Sequence, residues 1–227
     1  MAVSDYASLL SAVQSGCARS DTTFNNQVEQ FIANAEERMY RGVGMAGDPL
    51  YSEAIRVPEM ITSTTLAFTS GEATTPTGWL DFQRFDRASD VIGIDFMSPD
   101  ELARRIADTD SGNPKWMAIE GTTVRFGPDG YTGNINIVYY AKPDGISMSN
   151  TTNAVCTAYP TLYLEGTLFE AYTWMRDGQA AQTHLAKFRS IASGIMRTVR
   201  RGRYSGGKVT ARNRRNLGNI WRTRYYA

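Results

Sequence analysis

Apolar residues near the start of the chain recur at helical spacing. Tyr6, Leu9, Leu10 and Val13 predict a short amphipathic helix over 5–15 that closes near Gly16. Phe24, Val28, Phe31, Ile32, Ala35 and Met39 form a longer stripe with a period of about 3.6 residues. It predicts a core-facing helix over 22–41, capped by Asp21 or Thr22 and stopped by Gly42 and Gly44. Glu29, Glu36, Glu37, Arg38 and Arg41 are expected on its polar face.

From Met45 to Pro143 the period changes. Ile135-Asn136-Ile137 and Trp79-Leu80-Asp81-Phe82 alternate as half-buried strands do. The predicted strands are Leu66–Thr69, Gly78–Phe85, Val91–Phe96, Trp116–Glu120, Val124–Phe126 and Ile135–Tyr140. Glu120-Gly121-Thr122 reads as a hairpin turn, and Gly127-Pro128-Asp129-Gly130 and Lys142-Pro143-Asp144-Gly145 as proline-glycine turns. Ser98-Pro99-Asp100-Glu101 opens a short helix that runs to Ala107, with two acids at its positive end.

Helices return after the polar stretch 147–153. Pro160 starts one that is apolar on most sides, through Leu162, Tyr163, Leu164, Leu168, Phe169, Tyr172, Trp174 and Met175. Asp177-Gly178 breaks the chain. The next helix carries Ala181, Leu185, Phe188, Ile191, Ile195 and Val199 and fades at Gly202. The fold class that follows is α+β: a mainly helical bundle of three to four helices, a β-rich insertion and an extended C-terminal arm. Residues 1–44 are the N-terminal helices, 45–146 the insertion, 147–202 the C-terminal helices and 203–227 the arm.

Charge changes this picture more than composition does. The formal net charge is only +1, yet the last acidic residue is Asp177. The first 177 residues hold all 23 acids and 12 of the 24 basic residues, a net of −11. The remaining 12 basic residues follow Asp177 with no acid among them. Leu217, Ile220, Trp221 and Tyr225 can share one face of a short helix there. This basic, aromatic segment reads as a partner-docking arm. Its candidate binding residues are Arg203, Tyr204, Lys208, Arg212, Arg214, Arg215, Leu217, Ile220, Trp221, Arg222, Arg224, Tyr225 and Tyr226.

Candidate chemistry is thin. A hydrophobic share of 42% supplies a core, and no apolar run has the length of a membrane span. The start has no secretory pattern, so Asn150-Thr151-Thr152 is not expected to be glycosylated. Cys17 and Cys156 read as free thiols, and His184, the one histidine, as structural. Gly202–Lys208 mimics a phosphate loop, but Val209 stands where the magnesium-binding hydroxyl belongs. Asp108–Gly112 starts like a calcium loop, but Ile119 falls at the position that needs a carboxylate. Neither Glu36-Glu37 nor Glu165 with Glu170 has the geometry of an acid–base couple, and both read as salt-bridged or solvated. No catalytic residue, metal site or cofactor is expected. The chain reads as a protein that binds.

The phrases of the sequence and their order carry a resemblance. Phe24-x3-Val28-x2-Phe31-Ile32-x2-Ala35-Glu36-x-Arg38-Met39 comes first. Asn113-Pro114-Lys115-Trp116-Met117-Ala118-Ile119-Glu120-Gly121 leads into Val124-Arg125-Phe126-Gly127-Pro128. Ile137-Val138-Tyr139-Tyr140-Ala141-Lys142-Pro143 and the helix Tyr159–Gly166 follow, then Ala180, Phe188 and Ile191. Over roughly 20–200 this resembles the head–tail adaptor (connector) proteins of tailed bacteriophages.

The resemblance implies a structural virion protein of the neck, assembled in the host cytoplasm, and not an enzyme. It implies a homo-oligomeric ring, typically of twelve copies, beneath the portal protein. Such a ring extends the DNA channel without sequence-specific binding and without a membrane. It offers a platform to the next tail component: a stopper, nozzle or tail hub. In similar adaptors the C-terminal segment docks on the portal, here 203–227. The competing reading is a nucleic-acid-binding protein that uses the same basic aromatic segment.

Overall fold

The computed structural model describes residues 3–44, 47–87, 90, 91, 93–107, 113–128 and 130–205. The chain opens with α1 (Tyr6–Cys17) and α2 (Thr22–Arg41). Asp5 and Ser8 form a capping box on α1, each side chain accepting the other's backbone N–H at 2.8 and 3.0 Å. Asp21 caps α2 by accepting from Phe24 N–H at 3.0 Å. Gly42 ends α2 at φ +72°, where a Cβ would lie 2.7 Å from the Ser52 carbonyl oxygen.

A 3-10 turn, Pro58–Met60, leads into the β unit. Its elements are β1 (Ile61–Phe68), β2 (Glu72–Thr74), β3 (Trp79–Arg87), β4 (Asp90–Val91), β5 (Asp95–Phe96), α3 (Pro99–Ala107), β6 (Trp116–Glu120), β7 (Thr123–Gly127) and β8 (Gly133–Ala141). Two four-stranded sheets result, in the orders β1-β8-β3-β4 and β2-β7-β6-β5. All pairs are antiparallel except β5 with β6. The inner faces meet through Leu66, Phe68, Phe85, Ile135, Ile137 and Tyr139 of the first sheet and Met117, Val124 and Phe126 of the second. On β8 the exposed Asn134 and Asn136 alternate with Ile135 and Ile137, the half-buried pattern that the sequence carried.

Two expectations for the insertion need correction. Val91–Phe96 is not one strand: β4 and β5 lie in different sheets, and the chain crosses between them near Gly93-Ile94. On β3, Trp79, Phe82 and Phe85 share the inner face although regular pleating sends residues three apart to opposite faces. Two register shifts, between Trp79 and Asp81 and between Phe82 and Arg84, restore the match by setting these rings opposite Ala141, Tyr139 and Ile137.

The chain returns to the bundle through α4 (Ala154–Ala158), α5 (Pro160–Trp174) and α6 (Gly178–Ser205). α4 is too short to show a period, and only its cap, Asn153 Oδ1 accepting from Cys156 N–H at 2.8 Å, marks it. α5 packs on α1, α2 and α6 and is the most buried helix, as its apolar composition predicts. Gly166 sits where it crosses its neighbours: a Cβ there would lie 3.1 Å from Ala35 Cβ and 3.2 Å from the Phe188 ring. The bundle is thus α1, α2, α5 and α6. Its core also takes Ile55, Val57, Met60, Tyr140 and Ile146 from the flanks of the β unit. Tyr139 and Tyr140, neighbours on β8, therefore point into different cores.

α6 departs from expectation in two respects. Beyond Phe188 its buried seam passes through Ala192 and Met196, while Ile191, Ile195 and Val199 lie half-buried at its side. The helix also runs through Gly202 to Ser205. A single interior glycine costs a helix about 1 kcal/mol, which the arginines around it tolerate. Arg203 and Tyr204 thus belong to a helix and not to an arm that begins at 203. Among the described residues no helix is long and apolar enough to cross a membrane.

Candidate interaction surfaces

The C-terminal half of α6 presents the beginning of the basic region. Half of the basic residues that follow Asp177 lie on this helix. Several are turned back on the bundle: Arg189 donates to the Pro49 carbonyl at 3.0 Å, Arg200 pairs with Glu53, and Lys187 lies 4.0 Å from Glu165. Arg197 and Arg201, one turn apart, are exposed. The other predicted binding residues, Lys208, Arg212, Arg214, Arg215, Leu217, Ile220, Trp221, Arg222, Arg224, Tyr225 and Tyr226, lie outside the described residues.

The junction between bundle and β unit is polar and buried. Glu36 is only 3% exposed, not on the polar face of α2. It stands four residues after Ile32 and four before Tyr40, on the edge of the apolar stripe. Its Oε1 accepts from Ile146 N–H at 3.0 Å and from the Tyr163 hydroxyl at 3.2 Å. The Tyr40 and Tyr163 hydroxyls lie 2.5 Å apart, and Asn153 Nδ2 donates to Tyr163 at 2.9 Å. Burial pushes the Glu36 carboxyl up to about 7, against the pull of the Ile146 and Tyr163 hydrogen bonds and of Lys142. Burial likewise raises Tyr40 and Tyr163 above the ordinary tyrosine range. One heptad before Glu36, Glu29 accepts from Met148 N–H at 2.9 Å, so two carboxylates of α2 hold the strap 145–148. A charge inside an apolar stripe was the signal for this network in the sequence.

The remaining titratable groups are structural. His184 Nδ1 is 2.7 Å from Glu165 Oε2, and its ring stacks on Tyr172 with centroids 5.1 Å apart. Arg38 donates to Glu170 at 3.3 Å and lies over the Phe169 ring at 4.7 Å. Glu165 and Glu170 are ion-paired and separate, as the sequence implied. Both cysteines are free, and burial pushes each thiol up to about 11. Among the described residues no group of three or more His, Cys, Asp and Glu could hold a metal ion. Gly202–Ser205 is helical, so that part of the phosphate-loop mimic is no loop. The stretch 108–112 lies outside the described residues.

A third surface opens in the sandwich. On the β4–β5 side a groove of about 540 Å³ separates β3 from β6, walled by Trp79, Phe82 and Phe85. These rings contact one another along the strand at tilted angles, with centroids 5.1 and 5.0 Å apart. Sequence alternation hid them, because only the two bulges bring them to one face.

The described residues thus form a helical bundle carrying a β-sandwich, with Arg197, Arg201 and Phe96 exposed on its surface. A family model described as SU10 adaptor protein matches residues 4–215. The chain belongs to that family, and with it to the head–tail adaptors, or connectors, of bacteriophages. No curated protein matches the chain.

Proposed function

We propose that this chain is a structural subunit of the virion neck that assembles with copies of itself into a ring beneath the portal protein. The ring extends the channel through which DNA passes and offers a platform to the next tail component, a stopper, nozzle or tail hub. The observation that carries this reading is the family match, which spans the bundle, the sandwich and the chain as far as residue 215. The charge segregation supports it. A body with a net of −11 does not grip passing DNA provided its acids face the channel, and a basic segment with Trp221, Tyr225 and Tyr226 suits acidic, apolar clefts on a partner. Exposed Arg197 and Arg201 extend that docking surface onto a rigid helix. Repetition around a ring multiplies weak single contacts.

Electron microscopy of the protein mixed with its portal tests the reading. Ring-shaped density on the portal is expected, and its absence at every concentration overturns the proposal. Deleting 206–227 is expected to abolish docking while leaving the fold intact. The nucleic-acid reading loses support because Lys187, Arg189 and Arg200 are engaged within the fold. Tight DNA binding at physiological salt with a steep salt dependence reinstates it.

A further inference from the structure

The groove between β3 and β6 is built to take an aromatic segment. Its wall is the ladder Trp79–Phe82–Phe85, and Met117 and Ile119 line the facing strand. Phe96 stands at its rim, 68% exposed. The Trp79 Nε1–H is shut off from solvent and has no acceptor among the described residues. At the rim Asp81 is exposed, and Arg84 is already paired with Asp86 at 2.9 Å. An apolar slot with a carboxylate at its rim favours a chain that carries aromatic and basic side chains together.

This protein carries such a chain. The residues after Ser205 include Leu217, Ile220, Trp221, Tyr225 and Tyr226 among Lys and Arg, with no acid. They follow α6, which is tied to residues 53–56 through Met196 and Arg200. Met196 Sδ accepts from Arg56 N–H at 3.3 Å, and Arg200 pairs with Glu53. The Arg56 guanidinium in turn interacts electrostatically with Asp81 on the groove. Leu80 lines the groove and also packs on the bundle core. Extended chain from Ser205 to Trp221 reaches up to about 50 Å, ample for a protein of 25.2 kDa.

We propose that in the free subunit the segment 206–227 docks into the β3–β6 groove of its own chain, an aromatic ring against the Trp79–Phe82–Phe85 ladder and an arginine on Asp81. Docking on a partner then withdraws it. The withdrawal rests on the proposed function; the groove contact does not. Tethering supplies an effective concentration in the millimolar range, so a weak contact suffices. The docked state keeps the aromatic anchors away from other copies until the partner arrives.

The test is a fluorescein-labelled peptide of residues 206–227, titrated against the full chain and against a chain ending at Ser205. The second keeps both cores, which are built from residues between Val3 and Val199. The peptide is expected to bind the shortened chain and to bind the full chain at least tenfold more weakly, because the tethered segment occupies the groove. Phe96→Ser, at an exposed position, is expected to weaken binding to the shortened chain about tenfold, or about 1.4 kcal/mol. No binding at about 1 mM, equal binding to both chains, or indifference to Phe96→Ser overturns the proposal. Concentration-dependent oligomers of the full chain that the peptide dissolves place the segment in a second copy's groove and overturn it also. Portal capture by the full chain is measured in parallel. Capture without peptide binding removes this inference alone, and peptide binding without capture removes the ring reading alone.

Discussion

Glu36 and Ile146 are separated by 110 residues and joined by one hydrogen bond of 3.0 Å. The bond ties the strap that leaves β8 to the middle of α2, so the β unit is fixed to the bundle by a buried carboxylate as well as by its two connections. Burial raises that carboxyl to about 7, above its ordinary 4.5. The folded protein therefore holds a proton between these values that the unfolded chain has released. The stabilisation from the neutral acid is fully present below about 4.5 and is lost as the pH rises through about 7. Denaturant melts of the wild type and Glu36→Gln across pH 4.5–8 check this. The variant is expected to gain on the wild type as pH rises, by up to about 3 kcal/mol, and the difference to level off above about 7.

Phe188 is 1% exposed and meets Gly166 at the crossing of α5 and α6. Phe188→Ala empties that crossing and is expected to cost about 3–5 kcal/mol, read by urea unfolding. A loss below about 1 kcal/mol contradicts the packing described.

Two glycines on neighbouring helices are expected to respond with opposite sign. Gly166→Ala forces a methyl against Ala35 and the Phe188 ring, and overpacking of this kind costs about 1–3 kcal/mol. Gly194→Ala meets nothing within 4 Å and removes a helix-interior glycine. It is expected to add about 0.5–1 kcal/mol. Thermal melts of the two variants, side by side, read the signs directly.

Arg38 and Glu170 are mostly buried, with side chains 14% and 12% exposed. Burial raises the Glu170 carboxyl despite the guanidinium beside it. Arg38→Met leaves that carboxylate without its cation and is expected to cost about 3 kcal/mol at neutral pH. The double variant Arg38→Met with Glu170→Met is expected to recover most of the loss. A double-mutant cycle isolates the coupling.

The sequence by itself determined the long helices, though not α4 or the end of α6. Helical periodicity needs only local spacing, so α2, with its Asp21 cap and Gly42 stop, was legible to the residue, as was the start of α5 at Pro160. It also determined the alternation of β8, the β6–β7 hairpin and the split of charge at Asp177. The tertiary structure alone decided where non-local partners meet. Glu36 is buried because a tyrosine from α5 and a strap from beyond β8 converge on it. Trp79, Phe82 and Phe85 share a face because β8 accepts two bulges in β3. Gly202 lies within α6 because one unfavourable residue does not outweigh the helix that continues past it. Periodicity reports which face of an element is apolar. Which surface covers that face, and what polar group is trapped beneath it, depends on contacts between residues far apart in the chain.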